Sequence, residues 1–523
     1  MNAEHVWGRV GAYADSVTLM QVSATVQAVA GVQAALVAMA TELNVGLAAG
    51  LGFAAPTGIG PNDLLIAIRA IDDDSLAAAV AAVDEALDTR SAEQPGESAE
   101  QPPRTTFSAV RRTGPGLALI SVPGQYAFAE AMDALDADCD VMIFSDNVPV
   151  EQEIALKDIA AHRGLLVMGP DCGTAIVRGV GLGFSHSVPA GPIGLVAASG
   201  TGAQQVVCLL DAAGVGVSAV LGVGGRDLSA AVGGRSARAA LAALDEDPAT
   251  ELIVLLSKPP DPEVAVELRA YADTLATPVQ FAMIGPGQPD LTTAAEAALH
   301  AIGRPVPDWP MWPSPGSRPT LAPPADSPSR DGSDLPSRPG PGTETGALRG
   351  LFAGGTLCDE AMVIAAERLG PIYSNIPLRP EWHLDQQPPA ARHTMIDFGD
   401  DELTAGRPHP MIDQRLRLDR LAAEAADPAT AVILLDVVLG HGTHLDPATE
   451  LAPAITAARA TRDLSVVVSL IGAKSDPQDL ADQALALQRA GAHVFASNAQ
   501  AARFACDLID GTQPASSSRE DGS

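Results

Sequence analysis

Short apolar runs, each followed by a glycine-rich turn or a helical stretch, recur along most of this chain. In the central part they include Val141–Phe144 and Ile193–Ala198, and helical stretches such as Gln204–Ala213 follow them. Continuous apolar runs of this length are typical of parallel strands covered on both faces. Their alternation with helices predicts doubly wound parallel sheets. The other central runs are Leu117–Ser121, Leu165–Met168, Ser218–Val223, Leu252–Leu256 and Val279–Met283.

The two ends of the chain differ from each other in pattern. The C-terminal part repeats the strand–helix alternation, with predicted strands at Gly350–Leu351, Val432–Leu435, Ser465–Leu470 and His493–Ala496. The N-terminal part predicts a small α+β domain. Its predicted elements are strands at Ser16–Val22, Val32–Thr41 and Asp63–Ile71 and a helix at Asp74–Leu87.

Two segments without apolar periodicity divide the chain. One is rich in Glu, Gln and Pro and the other in Pro, Ser and Gly, compositions that bury too little apolar surface to offset the entropy of ordering. A chain of 523 residues is also too long for one core. The predicted organisation is an N-terminal domain (1–90), a linker (91–104), two central domains (105–190 and 191–303), a disordered linker (304–346), a C-terminal domain (347–511) and a disordered tail (512–523).

Composition excludes several classes of function. The net charge is −32, and only three of the 32 basic residues are lysines, which disfavours binding to nucleic acid or anionic membranes. No apolar stretch has the length of a membrane span and no signal peptide is recognisable, so we expect a cytoplasmic protein. The five cysteines contain no CxxC pair, which disfavours disulfides and structural zinc.

Four glycine-rich junctions follow predicted strands and precede helices. They contain Ser199–Gly202, Gly224–Arg226, Gly169–Thr174 and Gly354–Thr356. At such junctions the free N–H groups of the helix attract an anion, and glycine lets the backbone approach it closely. One junction alone is more often a tight turn, but four of them favour phosphate or acyl-phosphate chemistry. None is a Walker A loop or a dinucleotide fingerprint.

Two further segments carry polar side chains of catalytic type. The stretch Ile396–Asp413 combines carboxylates with Arg407 and His409, so it could hold a substrate carboxylate and move a proton, or it could be a rigid interdomain loop. His441 and His444 flank Asp446 at metal-ligand spacing, but no third firm ligand accompanies the two histidines, so no metal site is predicted.

Six stretches of the sequence resemble the FdrA family of acyl-CoA-synthetase-like proteins. The resemblance covers about 105–290 and 347–510. The family in turn resembles the α-subunit of succinyl-CoA ligase, so it implies an α/β fold: a CoA-binding Rossmann domain followed by flavodoxin-like parallel-sheet domains. The stretches are SVPGQYAFAEAMDALDADCDVMIFSDNVPVEQEIALK, GLLVMGPDCGTAI, GLVAASGTGAQQV, GVGGRDLS, GLFAGGTLCDEAM and IDFGDDELTAGRPHPMID.

The resemblance indicates the CoA-type site and two of the phosphate loops, and the residue types and positions described above indicate the other candidate residues. The CoA-type site would contain Ser121, Pro123, Gly124, Asn147 and Cys172. Catalytic roles would fall to His409, Arg407 and Asp171. Phosphate and substrate would bind at Ser199, Gly200, Thr201, Gly202, Gly224, Gly225, Arg226, Gly354, Gly355 and Thr356.

Two departures from succinyl-CoA ligase shape the functional expectation. Between Lys258 and Gly303 the only histidine is His300, in a helical stretch, so a phosphorylated histidine is not expected. The N-terminal 90 residues are too short for an ATP-grasp domain. No cofactor is firmly implied, although CoA remains possible.

The family is associated with allantoin breakdown and oxamate carbamoyltransferase activity, in which oxalurate and phosphate exchange with oxamate and carbamoyl phosphate. The leading expectation is therefore a carbamoyltransferase subunit that acts with partner subunits. The alternatives are an acyl-CoA ligase completed by an ATP-grasp partner, and a non-catalytic regulatory or scaffold protein.

Overall fold

The computed structural model describes residues 3–12, 14, 16–91, 103–314, 346–384, 392–404, 407–460, 462 and 464–511. Their strands form four sheets, two with three strands and two with six. We name the corresponding parts the N-terminal domain, the three-stranded domain and the first and second six-stranded domains. Within the described ranges, no helix combines the length and apolarity that crossing a membrane requires.

In the N-terminal domain, the strand at the centre of the sheet is β3, the last of the three strands in sequence order. β3 pairs antiparallel with β1 on one side and with β2 on the other, which leaves β1 and β2 as edges. Buried side chains cover both faces of this sheet. The elements are β1 (Ala3–Arg9), α1 (Ser16–Gln27), β2 (Val32–Met39), α2 (Glu42–Gly50), β3 (Leu64–Ala70) and α3 (Asp73–Ser91).

The prediction of a strand at Ser16–Val22 was wrong, because these residues begin α1. Leu19, Val22 and Val26 are buried. Their spacing of three and four residues puts them on one face of a helix, which outweighs the β-branched residues between them.

The three-stranded domain is a short βαβαβ unit. Its strands are parallel in the order β4-β5-β6, so β4 is an edge strand. A complete dinucleotide-binding fold contains two such units and binds its ligand where the strand order reverses. The elements are α4 (Thr106–Thr113), β4 (Leu117–Ile120), α5 (Gly124–Asp136), β5 (Asp140–Ile143), α6 (Val150–Arg163) and β6 (Val167–Met168).

The first six-stranded domain has the order β12-β11-β9-β10-β7-β8. Four strands are parallel neighbours, and an antiparallel hairpin of β7 and β8 continues the sheet beyond β10. The elements are β7 (Thr174–Val177), β8 (Val180–Gly183), β9 (Ala190–Ala197), α7 (Gly200–Ala212), β10 (Val217–Gly222), α8 (Arg235–Asp245), β11 (Leu252–Ser257), α9 (Pro262–Ala272), β12 (Val279–Met283) and α10 (Leu291–Ala301).

The second six-stranded domain has the order β13-β18-β17-β16-β14-β15. Only β13 is antiparallel to its neighbour. The elements are β13 (Met311–Trp312), β14 (Ala347–Phe352), α11 (Gly355–Leu369), β15 (Thr394–Asp397), α12 (Asp401–Thr404), α13 (Arg415–Ala426), β16 (Thr430–Val438), α14 (Pro447–Ala460), β17 (Ser465–Ile471), α15 (Leu480–Arg489), β18 (His493–Phe495) and α16 (Asn498–Asp510), with a 3₁₀ turn at Pro380–Trp382.

Four helices join the two six-stranded domains. Helices α7 and α10 of the first pack against α11 and α16 of the second. One continuous core of buried apolar side chains runs through both domains and includes Leu256 and Phe352. Because this shared core fixes the relative position of the two sheets, it also fixes the distance between residues that follow their strands.

Two predicted boundaries differ from the structure. The hairpin β7–β8 belongs to the first six-stranded sheet rather than to the domain predicted at 105–190, because it pairs with β10 and covers that edge. Residues 304–314 were predicted as disordered linker, yet Trp309 is buried and donates its indole N–H to Glu296, and Met311–Trp312 form β13. Residues 315–345 of that linker, 92–102 of the first linker and the tail 512–523 lie outside the described residues.

Candidate active site

A cavity of about 1500 Å³ lies between the domains. Residues that follow β6, β9, β11 and β14 line one side of it, so the carboxyl ends of strands from three sheets, where ligands of parallel sheets bind, face this cavity. The N-terminal domain provides another wall with Met20 and residues 33–39. Gln21 Nε2 of α1 donates a hydrogen bond of 3.3 Å to the carbonyl of Gly442, in the second six-stranded domain.

The N-termini of α7 and α11 meet at this cavity. Ser199 caps α7 by accepting a hydrogen bond from Gly202 N, at 3.1 Å, and its Oγ lies 2.7 Å from Thr356 Oγ1 in α11. Gly354, which precedes α11, packs against Thr201, since a Cβ at Gly354 would be 2.8 Å from Thr201 Cγ2. Two sets of free helix N–H groups and two helix dipoles therefore act on the same space, which favours an anion there.

Asp436 holds the start of α11 in place. Its two carboxylate oxygens accept from Ala353 N, at 2.7 Å, and from Gly354 N, at 2.8 Å. Arg417 pairs with the same carboxylate at 2.6 Å, and both side chains are buried. The loop before α11 is therefore fixed before any ligand binds.

Lys258 and Asp397 also lie at this helix N-terminus. Sequence reasoning did not select Lys258, and it included Asp397 only among the carboxylates of the stretch Ile396–Asp413. Lys258 follows β11, and its Nζ lies 2.7 Å from Asp359 Oδ2 of α11. A Cβ at Gly355 would be 2.7 Å from Asp397 Oδ2 and 3.6 Å from Lys258 Nζ. Lys258 directly follows a buried strand, and Asp397 is the last residue of one. These positions could have identified both residues from the sequence.

Burial raises the pKa of Asp397 to about 7, against the opposing effects of the Gly399 N–H group and of Lys258. For Lys258, the nearby carboxylate of Asp359 outweighs the effect of burial and holds the pKa above its usual value. The site thus combines a permanent cation with a carboxyl group that is partly protonated at neutral pH.

His409 lies in the cavity wall as a neutral imidazole. Its Nδ1 accepts a hydrogen bond of 3.2 Å from Met411 N, so the ring proton is on Nε2. Nε2 is close to Gly399, at 2.9 Å from where a Cβ would lie, and the ring packs on Phe184 at 5.4 Å between centroids. Burial and then Arg417 lower the pKa of His409 to about 4. In this state His409 can donate a hydrogen bond but cannot readily accept a proton.

Asp171 and Arg407, the other two predicted catalytic residues, line the same cavity. Asp171 has a left-handed backbone, with φ of 54°, which turns the chain after β6. Its side chain is exposed to the cavity, where partial desolvation by the surrounding protein, with the charges of Asp401 and Asp146, raises its pKa to about 6. Arg407 is exposed. The structure therefore brings the three predicted catalytic residues to one cavity.

Arg226 differs from its predicted position as a substrate ligand. Its NH2 group donates to the carbonyl of Val148 at 2.8 Å and lies 2.9 Å from Glu153 Oε2. The side chain thus bridges to the three-stranded domain, while Gly224 and Gly225 line the cavity. Its guanidinium is half exposed, and a direct substrate contact stays a prediction.

The residues predicted for a CoA-type site open onto the same cavity. Ser121, Pro123, Asn147 and Cys172 line it, and Gly124 begins α5. The absence of a side chain at Gly124 lets the start of α5 lie close to the backbone of Asp146, because a Cβ there would be 2.1 Å from the Asp146 carbonyl oxygen. Burial raises the pKa of the Cys172 thiol to about 12, so this sulfur is not a thiolate nucleophile at neutral pH.

His441 and His444, for which the sequence predicted no metal site, have hydrogen-bond partners within the protein. His441 Nε2 lies 2.8 Å from Ser187 Oγ, and His444 Nδ1 accepts from Asp446 N at 3.0 Å. Across the part of the chain that the structure describes, no group of three or more His, Cys, Asp or Glu residues is arranged to hold a metal ion.

Comparisons with known proteins agree with this architecture. A family model described as CoA-ligase matches residues 351–508, and one described as AllF, heavy metal-associated domain, matches residues 1–103. The second matched region contains no cysteine, so thiolate metal binding is not available there. YahF of Escherichia coli K12, named as an uncharacterized protein, is 38% identical over 517 residues, covering 95% of this chain and 97% of YahF.

Other relatives match smaller parts or with lower identity. The α-subunit of the ADP-forming succinate–CoA ligase of Aquifex aeolicus is 30% identical over 160 residues, 29% of this chain and 51% of that subunit. Among solved structures, a dinucleotide-forming acetyl-coenzyme A synthetase of Ca. Korarchaeum cryptofilum is 14% identical with a TM-score of 0.28, covering 76% of this chain and 82% of that one.

Proposed function

Because this chain belongs to the FdrA family of acyl-CoA-synthetase-like proteins, we propose that it is a subunit of an oxamate carbamoyltransferase. In this reaction oxalurate and phosphate give oxamate and carbamoyl phosphate. The single observation that carries the proposal is the meeting of the α7 and α11 N-termini at Ser199 and Thr356, beside Lys258. Such a site holds a multiply charged phosphate through N–H groups, helix dipoles and one cation.

The proposed chemistry needs three functions from the cavity. Phosphate binds at the paired helix N-termini, where the backbone N–H groups and Lys258 neutralise its charge. The carboxylate of oxalurate binds Arg407, which is exposed in the wall. The neutral His409 donates its Nε2–H to the oxyanion that forms as phosphate attacks the ureido carbon.

The reaction requires neither a nucleotide nor a phosphorylated histidine, and this agrees with the chain. Residues 284–290 connect β12 to α10 in seven residues, Ile-Gly-Pro-Gly-Gln-Pro-Asp, without a histidine. His300 lies in helix α10, as expected, and is therefore not part of that connection. A carbamoyl group can pass directly between nitrogen and phosphate oxygen.

A CoA ligase that acts with an ATP-grasp partner is the second candidate. The observation that favours it is the opening of α5, at Gly124, next to the same cavity. The three-stranded sheet, with β4 at its edge, is a single βαβαβ unit, the half of a dinucleotide-binding fold that binds one nucleotide, and CoA carries one nucleotide.

The deciding experiment measures carbamoyl phosphate formed from oxalurate and phosphate without nucleotide, by this chain alone and with proteins encoded beside it. We expect product only in the presence of partners. CoA thioester formed on adding ATP and an ATP-grasp protein, without phosphorolysis, would transfer the chain to the ligase class. Ligand binding without turnover in any mixture would identify a regulatory or scaffold protein.

A further inference from the structure

Asp397 is a buried carboxylic acid with one free oxygen aimed at the anion site. It ends β15 and is 6% exposed. Its Oδ1 accepts a hydrogen bond of 2.9 Å from Gly399 N. No hydrogen bond to Oδ2 is found within the described ranges, and this oxygen is 2.7 Å from where a Cβ on Gly355 would lie. The free oxygen therefore faces the first turn of α11.

Neighbouring acids are engaged in structural contacts. Asp436 accepts from two backbone N–H groups and pairs with Arg417. Asp359 pairs with Lys258. Glu360 accepts from Leu291 N at 2.6 Å and from the Asn498 amide at 2.7 Å. Both oxygens of Asp436 and of Glu360 are thus occupied, and Asp359 is paired with Lys258, whereas Asp397 keeps one oxygen available to a ligand.

The surroundings of Asp397 suit a group that both gives and takes a proton. Burial holds its pKa near 7, and the best acid–base catalysts have pKa values near the working pH. The nearby His409 is unsuited to that role, because its Nδ1 is already bonded and its pKa is about 4. Lys258 keeps a fixed positive charge beside the anion.

Building on the proposed carbamoyl transfer, we propose that Asp397 is the proton-transfer residue of the reaction and that Lys258 anchors the phosphate beside it. A phosphate oxygen forms a bond to the ureido carbon of oxalurate, and the bond from that carbon to the oxamate nitrogen breaks. Protonated Asp397 gives its proton to the departing nitrogen. The P–OH proton of hydrogen phosphate passes to the Asp397 carboxylate, so the residue ends the cycle protonated.

A binding experiment tests the position of this proton without relying on turnover. Inorganic sulfate is the probe, because it imitates phosphate but does not itself titrate near neutral pH. An anion beside Asp397 favours the protonated acid. Calorimetry at pH 7 in buffers of different ionisation enthalpy should therefore show uptake of a fraction of a proton by the wild-type chain.

Asp397→Asn should bind sulfate at least as tightly and lose most of this uptake. Glu360→Gln is the matched control, since Glu360 is also a buried acid with a pKa of about 7 but is bonded to Leu291 N and Asn498 away from the cavity lining, and this variant should retain most of the uptake at pH 7. Circular dichroism checks that both variants fold. Unchanged proton uptake in Asp397→Asn would overturn the assignment.

Turnover with partners provides the second test. Asp397→Asn should lower kcat by about 10²–10⁴-fold, with little change in KM for phosphate, because general acid–base catalysis contributes about that much. The acidic Asp397→Glu variant should recover part of the rate, and the limb of the pH profile near 7 should disappear in Asp397→Asn. A variant with wild-type kcat contradicts the proposed role.

The two proposals fail in different ways. A wild-type chain that forms no carbamoyl phosphate with any partner overturns the carbamoyltransferase. If that same chain still takes up a proton with sulfate, and Asp397→Asn does not, Asp397 remains the titrating group of the anion site, and only the reaction has to be reassigned.

Discussion

Lys157 Nζ lies 2.8 Å from Asp227 Oδ1, and this buried ion pair joins the three-stranded domain to the first six-stranded domain. The same ammonium group lies 2.7 Å from Glu153 and donates to the carbonyl of Val223 at 3.1 Å. Asp227 also accepts from Ser236 N and Ala237 N at the start of α8. Lys157 therefore connects helix α6, the residue after β10 and the loop before α8, which form this side of the cavity.

Removing the ammonium group of Lys157 should destabilise the protein strongly. Lys157→Met leaves the buried Asp227 without a cation and Glu153 with Arg226 as its remaining cation, and breaking a buried ion pair in this way costs about 3–5 kcal/mol. Arg163→Met is the matched control, because its partner Asp136 is exposed and such surface pairs contribute about 0–1 kcal/mol. Denaturant unfolding followed by circular dichroism compares the two. Equal midpoints for both variants would show that the buried cluster is not stabilising.

Gly355→Ala should block the proposed anion site. The new methyl group would lie 2.7 Å from Asp397 Oδ2 and 3.6 Å from Lys258 Nζ, in the space left for a phosphate oxygen. We expect phosphate affinity to fall at least about tenfold, since a hydrogen bond to a charged group contributes about 1.5–3 kcal/mol. Gly46→Ala in α2, where a Cβ meets no atom within 4 Å, is the control for calorimetric titration. Unchanged phosphate affinity in Gly355→Ala would place the anion elsewhere.

His409 should act as a hydrogen-bond donor rather than as a base. His409→Ala should lower kcat by about 10²–10³-fold, the usual cost of losing one donor to a developing oxyanion. His409→Gln, which retains an N–H group, should lose less. Because the pKa of His409 is about 4, neither variant should remove a titration between pH 5.5 and 7 from the rate profile. Loss of such a limb in His409→Gln would make the imidazole a proton carrier.

Glu360 should make the protein less stable as pH rises. Burial raises its pKa to about 7, above the unfolded value near 4.5. Its contribution is therefore fully present below about pH 4.5 and is lost as pH rises through 7, by about 3 kcal/mol in all. Relative to Glu360→Gln, the wild type should lose stability between pH 5 and 8 in denaturant unfolding. If the difference in unfolding free energy between the wild type and Glu360→Gln did not change with pH, this assignment would be contradicted.

The five cysteines should resist alkylation in the folded protein. All five are buried, and burial raises the pKa of Cys172 and Cys506 to about 12. Iodoacetamide reacts with the thiolate, so labelling at pH 8 should be slow in the native state and complete in denaturant. Mass spectrometry counts the labels. Rapid native labelling of Cys172 would show that the thiol is ionised and accessible from the cavity.

Local sequence determined which segments could fold and where ligands could bind. Apolar runs such as Ile193–Ala198 indicate parallel strands because both faces of such a strand are covered, and burying unpaired charged side chains there would cost free energy. Glycines at Ser199–Gly202 and Gly354–Thr356 mark the turns into helices. These features are local, so the fold class and the two glycine-rich junctions could be predicted from the sequence without coordinates.

Tertiary structure decided which of these elements share one site. The hydroxyls of Ser199 and Thr356, 157 residues apart, are in contact only because four helices pack into a core common to both six-stranded domains. The same packing places Lys258 at a helix of the other domain and leaves Asp397 buried beside it. Burial and the charges brought near by folding set the pKa values of His409 and Asp397, and neither quantity exists in a linear sequence.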